Sequence, residues 1–206
     1  GGRNVGNTSR IHRFRPRRSS LSSDPPRDRT VLIFSSILIE GTREWVHNRD
    51  MLTELSTAYL RTALGPVKIV ASQKGILTVN FAVSLEKSDE NLPRFLEQCI
   101  FEMEEYLSAR RRAFSVPLVV RGTDFQQRVW DALLEVPFGQ TVTYGQLAKE
   151  IGNPGAVRAV GTAVGDNPLA IVIPCHRVLP ASGGIGNYAS GSDKKAWLLK
   201  HEGAAV

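Results

Sequence analysis

At 206 residues the chain can form one domain or two small ones with a real core, and its 42% apolar and 22% charged residues fit a soluble globular protein. No apolar run approaches the roughly 20 residues of a membrane helix; the longest, VLIFSSILI at 31–39, is interrupted by two serines. The net charge of +6 makes an acidic partner plausible, nucleic acid first, although eight of the 26 basic residues are arginines within the first 30 positions. Two cysteines, Cys99 and Cys175, make no disulfide framework, so a reducing intracellular compartment is expected.

Residues 1–29 are rich in Gly, Arg, Ser and Pro and read as disordered or as non-native leader sequence. RFRPRR within them reads as a solvated tail before it reads as a nucleic-acid contact or a nuclear address. Met51 precedes the first well-patterned stretch, so residues 1–50 are assigned to an extension and the functional protein is expected to begin near Met51. From 57 to 82, TAYLRTA, VKIVAS and ILTVNFAV predict strands, because β-branched residues are bounded there by Gly and Pro. A helix is predicted over 90–109, with Leu92, Phe95, Leu96, Cys99, Ile100, Met103, Tyr106 and Leu107 on one face. Cys99 on that stripe is expected to be a buried structural thiol. These elements make residues 51–115 a small α/β domain.

Residues 116–206 read as mostly helical. Thr123 is placed to cap a helix in which Phe125, Val129, Ala132, Leu133 and Val136 share a face, and PFGQ then turns the chain. Thr143 caps the short helix YGQLAKEIG, which Gly152 ends; Asn153 and Pro154 are read as the N-cap and first position of GAVRAVGTAVG. Two short helices across a tight turn resemble a helix-turn-helix. A buried strand, LAIVI at 169–173, a Cys-His turn, a Gly-rich loop at 183–191 and a last helix from about Ser192 complete the prediction. The fold class is α/β in the wider, α+β sense.

The stretch with chemical interest is VIPCHRV, at 172–178. Neighbouring side chains on a strand face opposite ways, so a working Cys175–His176 pair needs a bend. Pro174, which lacks an N–H, helps end a ladder just there. A thiol needs a base or a lowered pKa to attack, and a carboxylate to orient the imidazole; Glu202, in the last helix, is a candidate. The pair alone is more often accidental than catalytic. A Cys-His hydrolase would further need an oxyanion hole and a histidine on a facing segment, neither of which can be read. Four histidines and two cysteines show no paired zinc-ligand spacing, so no metal is expected.

IPCHRV, with Asn167 eight residues before its cysteine, follows YGQLAKEIGNPGAVRAVG and precedes GNY at 186–188 and HEG at 201–203. In that order these motifs resemble the O6-alkylguanine-DNA alkyltransferases, closely over 123–203, with 57–115 consistent with the family's variable N-terminal domain. The resemblance implies a protein that flips O6-alkylguanine out of double-stranded DNA and takes the alkyl group irreversibly onto its own Cys175, once per molecule and with no cofactor. It implies His176 as base through a water, Glu202 orienting it, Asn167 positioning the active-site turn, and Tyr144 donating its hydroxyl to the departing guanine. It also implies Arg158 as the finger that fills the vacated stack, on a helix whose small Ala156, Ala159 and Gly161 approach the minor groove closely. Val178, Asn187 and Tyr188 would build the guanine pocket. A monomer is expected, in the cytoplasm and nucleoid of a bacterium or the nucleus of a eukaryote. A lesion-binding relative that accepts no alkyl group is the competing reading within the family, and Cys175 argues against it.

Overall fold

The computed structural model describes residues 54–205. The extension assigned to 1–50 and the start expected near Met51 lie outside the described residues.

The first half is a three-stranded antiparallel sheet, β1 (Ser56–Thr62), β2 (Gly65–Ser72) and β3 (Gly75–Phe81), in that order. Alternation explains its inner face: Val67, Ile69 and Ala71 of β2 point into the core, two residues apart. Helix α1 (Arg94–Leu107) lies against the sheet and starts after Pro93, later than the periodicity suggested. Proline suits that boundary because it cannot donate within a helix. The buried stripe is Leu96, Cys99, Met103 and Tyr106, joined by Glu102. Glu102 tolerates burial because it accepts from the Ser115 backbone N–H at 2.7 Å, from Gln98 at 2.8 Å and from the Ser115 hydroxyl. Cys99 is fully buried, and burial, then the Glu102 charge, pushes its thiol up to about 12. It is an inert packing group.

The second half begins with α2 (Asp124–Leu134), whose N-terminus is closed by a reciprocal capping box between Thr123 and Gln126. Its buried face is Gln127, Val129, Trp130 and Leu133, so Trp130 displaces the expected Phe125, Ala132 and Val136, which are only half-buried. Trp130 earns its place through Nε1, which donates to the Ala163 carbonyl at 2.8 Å. Strand β4 (Val142–Thr143) leads into α3 (Tyr144–Glu150), again with a capping box, from Thr143 to Gln146. Helix α4 (Val157–Gly165) starts later than predicted. Asn153 is not its cap: the Asn153 carbonyl accepts from Ala156 N–H in a turn, and Ala156 is the capping position. Strand β5 (Val178–Leu179) pairs parallel with β4, and α5 (Ser192–His201) ends the fold.

The expected buried strand at 169–173 does not form. All five side chains are buried, but Ile171 has φ of 72° and the chain folds back, with Ile173 N–H donating to the Leu169 carbonyl at 2.8 Å. A short apolar run signals burial, not extension. A branched residue in the left-handed region is strained and persists only where its surroundings over-determine it. Here they do. The edge of β3 grips the turn: Val79 N–H donates to Pro168 O at 2.9 Å, and Ala170 N–H donates to Val79 O at 2.8 Å. Further along the same edge, Ile76 exchanges backbone hydrogen bonds with Pro117 and Val119, both 2.8 Å. The sheet of the first half thereby fixes the turn that carries the chemistry of the second.

Gly75 sits where that edge meets the linker, and a Cβ there would lie 2.4 Å from the Pro117 carbonyl oxygen. Gly75→Ala is therefore expected to destabilise the fold by about 2 kcal/mol or more, read in urea as a lower midpoint with unchanged slope. An unchanged midpoint would mean the linker does not hold this edge.

Candidate active site

Residues Cys175–Arg177 form one turn of 3-10 helix directly after Pro174. This is the bend that the Cys-His pair requires, and it sends the two side chains to different neighbours. Cys175 Sγ accepts a hydrogen bond from Asn167 Nδ2 at 3.0 Å. The same amide donates to the carbonyls of Ile173 (2.8 Å) and Leu169 (3.4 Å), while Asn167 Oδ1 accepts from Leu169 N–H at 3.0 Å. Asn167 thus clasps the strained turn and the sulfur together.

His176 is fully buried and turns the other way. Its Nε2 lies 3.0 Å from Glu202 Oε1. A carboxylate only accepts, so the ring proton sits on Nε2 and Nδ1 carries a lone pair. Nδ1 is buried with no hydrogen-bond partner among the described residues. Glu202 itself is held by more groups than the sequence indicated. Arg177 forks onto both oxygens, Nε to Oε2 at 2.9 Å and Nη2 to Oε1 at 2.8 Å. Tyr106 Oη donates to Oε1 at 2.5 Å, and Gly139 N–H donates to Oε2 at 3.0 Å. Gly139 has φ of 76°, and a Cβ there would lie 2.8 Å from the Glu202 carbonyl oxygen, so glycine is needed in PFGQ for this approach.

The protonation states follow from these contacts. Burial opposes charge on Glu202, but hydrogen bonds from His176 and Arg177 outweigh it and hold the carboxyl well below its usual range. Burial pushes His176 below the ordinary imidazole value, against the pull of Glu202. Burial pushes the Cys175 thiol up, against the Asn167 hydrogen bond that favours thiolate. At neutral pH the site holds a neutral thiol beside a neutral imidazole, and its negative charge stays on Glu202. Lys195 is buried too, its ammonium donating to the Val178 carbonyl at 2.6 Å and to the Asn187 carbonyl at 3.3 Å. Its charge favours a thiolate at Cys175.

A cleft of about 460 Å³ opens over the sulfur, within the usual size for a small-molecule site. Tyr144, Gly161, Asn167, Cys175, Asn187 and Tyr188 are among its walls, as is Asn80, reaching in from β3. Tyr144 starts α3, and burial, then the nearby Cys175, raises its phenol. The buried Tyr188 hydroxyl is close enough to the sulfur to favour thiolate, although no described group stands in full hydrogen-bonding geometry to it. Val178 is placed differently: its side chain is fully buried, it does not line the cleft, and its carbonyl is taken by Lys195. Arg158 and Ala159 are exposed on the first turns of α4, Ala156 caps it, and Gly161 packs beside the Tyr144 ring. Asp166, at the end of α4, accepts from Gln126 Nε2 at 3.0 Å. Among the described residues no group of three His, Cys, Asp or Glu side chains could hold a metal ion.

Comparison with known proteins agrees with this geometry. Residues 55–120 match the ribonuclease-like domain of 6-O-methylguanine DNA methyltransferase, and residues 124–204 match that family's DNA binding domain. The methylated-DNA–protein-cysteine methyltransferase of Methanosarcina acetivorans is 42% identical over 153 residues, covering 71% of this chain and 97% of the relative. The chain belongs to this methyltransferase family. The Mycobacterium tuberculosis member of the family is 48% identical over 110 residues, 53% of this chain and 67% of its own. A crystal structure of the M. tuberculosis protein OGT in complex with DNA superposes with a TM-score of 0.65 at 37% identity, covering 71% of this chain and 92% of that one.

Arg177, Tyr106, Gly139 and Lys195 are the site groups that sequence reading missed. Arg177 lay in the quoted heptapeptide; the signal was a charged residue inside an otherwise apolar run, which must find a partner when buried. Because His176 and Glu202 both bind protons more readily in the unfolded chain, their contributions to stability are full above the unfolded values and fade as pH falls: through His176 below about 6.5, then through Glu202 below about 4.5. Urea unfolding between pH 7.5 and 4 should show this two-step loss, with the first step missing in His176→Gln. A flat profile from pH 7 to 5 in the unaltered protein would contradict the neutral buried imidazole.

Proposed function

We propose that this protein repairs DNA by direct reversal, taking the alkyl group of O6-alkylguanine onto Cys175 in a single, irreversible turnover. The observation that carries this reading is one sulfur at the floor of a base-sized cleft, clasped by Asn167, with the neighbouring imidazole keyed to a buried carboxylate. Family membership supports the reaction, and the complex of M. tuberculosis OGT with DNA supports DNA as the partner.

His176 Nδ1 takes the thiol proton through one bridging water, for which the unpartnered Nδ1 and the sulfur supply two polar contacts. The sulfur attacks the alkyl carbon, an S–C bond forms, and the C–O6 bond breaks with its electron pair left on guanine. Tyr144 donates its proton to the departing base as negative charge develops; afterwards its phenolate regains a proton from solvent and the imidazolium returns one, and the thioether on Cys175 does not hydrolyse. Glu202 stays ionised throughout and steadies the imidazolium. Lys195 and the Tyr188 hydroxyl favour the thiolate while it lasts.

An alkylated guanine inside a duplex lies out of the cleft's reach, so the base is flipped, at a cost of a few kcal/mol that a weakly paired lesion reduces. Arg158, exposed on α4, fills the vacated stack, and the small residues Ala156, Ala159 and Gly161 let the helix backbone approach the minor groove. Asn187 and Tyr188 wall the bound base, and Lys195 links the Asn187 carbonyl to that of the buried Val178. The protein works as a monomer, wherever the cell keeps its DNA. Among the described residues no helix is long and apolar enough to cross a membrane.

The test is to mix the protein with a duplex carrying O6-methylguanine, digest it and weigh the Cys175 peptide. Stoichiometric gain of one methyl in place of the thiol hydrogen, without turnover, is expected. In the same assay Arg158→Ala should slow repair of the duplex more than transfer from the free modified base. An unmodified Cys175 despite tight lesion binding would replace this reading with pure lesion recognition.

A further inference from the structure

Tyr106 belongs to the sheet-and-helix half of the molecule, 96 residues before Glu202, yet its hydroxyl reaches the same carboxylate oxygen that holds His176. Its ring packs between Phe114, at 5.4 Å, and Phe138, at 6.0 Å, which a phenylalanine would do equally well. The hydroxyl needs another explanation. Its backbone carbonyl also accepts from His201 Nε2 at 2.7 Å, so the end of α1 is tied to both residues that close α5. We propose that Tyr106 is a positioning residue for alkyl transfer, its phenol setting how strongly Glu202 holds the imidazole of His176.

The physical reasoning is charge sharing. Oε1 of Glu202 accepts from Tyr106, His176 and Arg177 at once. Each donor draws density from that oxygen, and what remains determines how firmly the carboxylate favours a proton on His176. The other charged groups about His176 are Arg177, next in the chain, and Lys195 on α5, and both oppose a proton there. Cys175 adjoins it, and His201 faces Tyr106 from α5. Burial and Glu202 act on the Tyr106 phenol itself to keep it protonated, so it remains a donor across the working pH range. Without it, Glu202 would hold the imidazole proton more tightly, and His176 would be lost as a base at a higher pH. The N-terminal half thereby enters the chemistry through a hydrogen bond as well as through packing.

This inference rests on His176 acting as the base for Cys175. The experiment is the pH dependence of Cys175 capping, read by peptide mass, with the O6-methylguanine duplex and separately with iodoacetamide, which needs no DNA. In Tyr106→Phe the acid limb should move up by about 0.5–1 pH unit with both reagents. Site-specific 3-fluorotyrosine at position 106, a stronger donor on nearly the same ring, should move it down, and it serves if the phenylalanine variant fails to fold. A limb that stays in place in the fluorotyrosine protein, or a rate lowered equally at every pH in Tyr106→Phe, overturns the proposal and leaves a packing residue. Failure of the unaltered protein to take the methyl group from DNA would count instead against the repair reading, since the iodoacetamide profile still reports on Tyr106.

Discussion

The constraint on which the structure turns is a single carboxylate kept ionised in the interior. Glu202 is buried, and an ion there is tolerable only if its lone pairs are met. They are met by groups from distant parts of the chain: Tyr106 at the end of α1, Gly139 in the turn before β4, and His176 with Arg177 in the 3-10 turn. Three segments converge on one charge. Breaking such a cluster by removing one partner typically costs about 3–5 kcal/mol, because the others are left charged and unpaired. The cluster therefore specifies where the catalytic turn sits relative to both halves of the molecule.

The same charge explains why the site can be both buried and reactive. A desolvated thiol resists ionisation and a desolvated imidazole resists protonation, so at rest neither carries charge. Glu202 supplies the negative potential in advance, and the cost of creating an imidazolium falls at the moment the thiol gives up its proton. Asn167 does the complementary task on the other side, holding the sulfur while it braces a turn that contains a left-handed isoleucine. That turn is strained, and the edge of β3 keeps it in place. Strain, sheet edge and carboxylate form one support for the sulfur that the proposed transfer consumes.

Much of this was legible in the residues. Three strands and five helices follow from alternation, period and caps, and Thr123 and Thr143 announced their helices as caps, which the structure completes as capping boxes with Gln126 and Gln146. Cys175, His176 and Glu202 stood out by type and context. What escaped has a common physical cause. LAIVI spells burial, and burial alone does not distinguish a strand from a folded turn. Asn153 and Pro154 look like a helix start, but the chain needs one more turn before α4 can begin. Trp130 stands beside the periodic stripe that runs from Phe125 to Val136 and so does not register in it. Tyr106, Gly139 and Lys195 act through contacts with residues far away in the chain, or through a backbone amide, and local pattern carries no trace of either.

His176 rests neutral, with its proton on the nitrogen facing Glu202 and a lone pair left on the other. Nitrogen-15 NMR of the imidazole at neutral pH tests it most directly. A pyrrole-type Nε2 beside a pyridine-type Nδ1, titrating below the ordinary imidazole value, is the expected spectrum. A doubly protonated ring at pH 7, or the opposite tautomer with its proton on Nδ1, would contradict it.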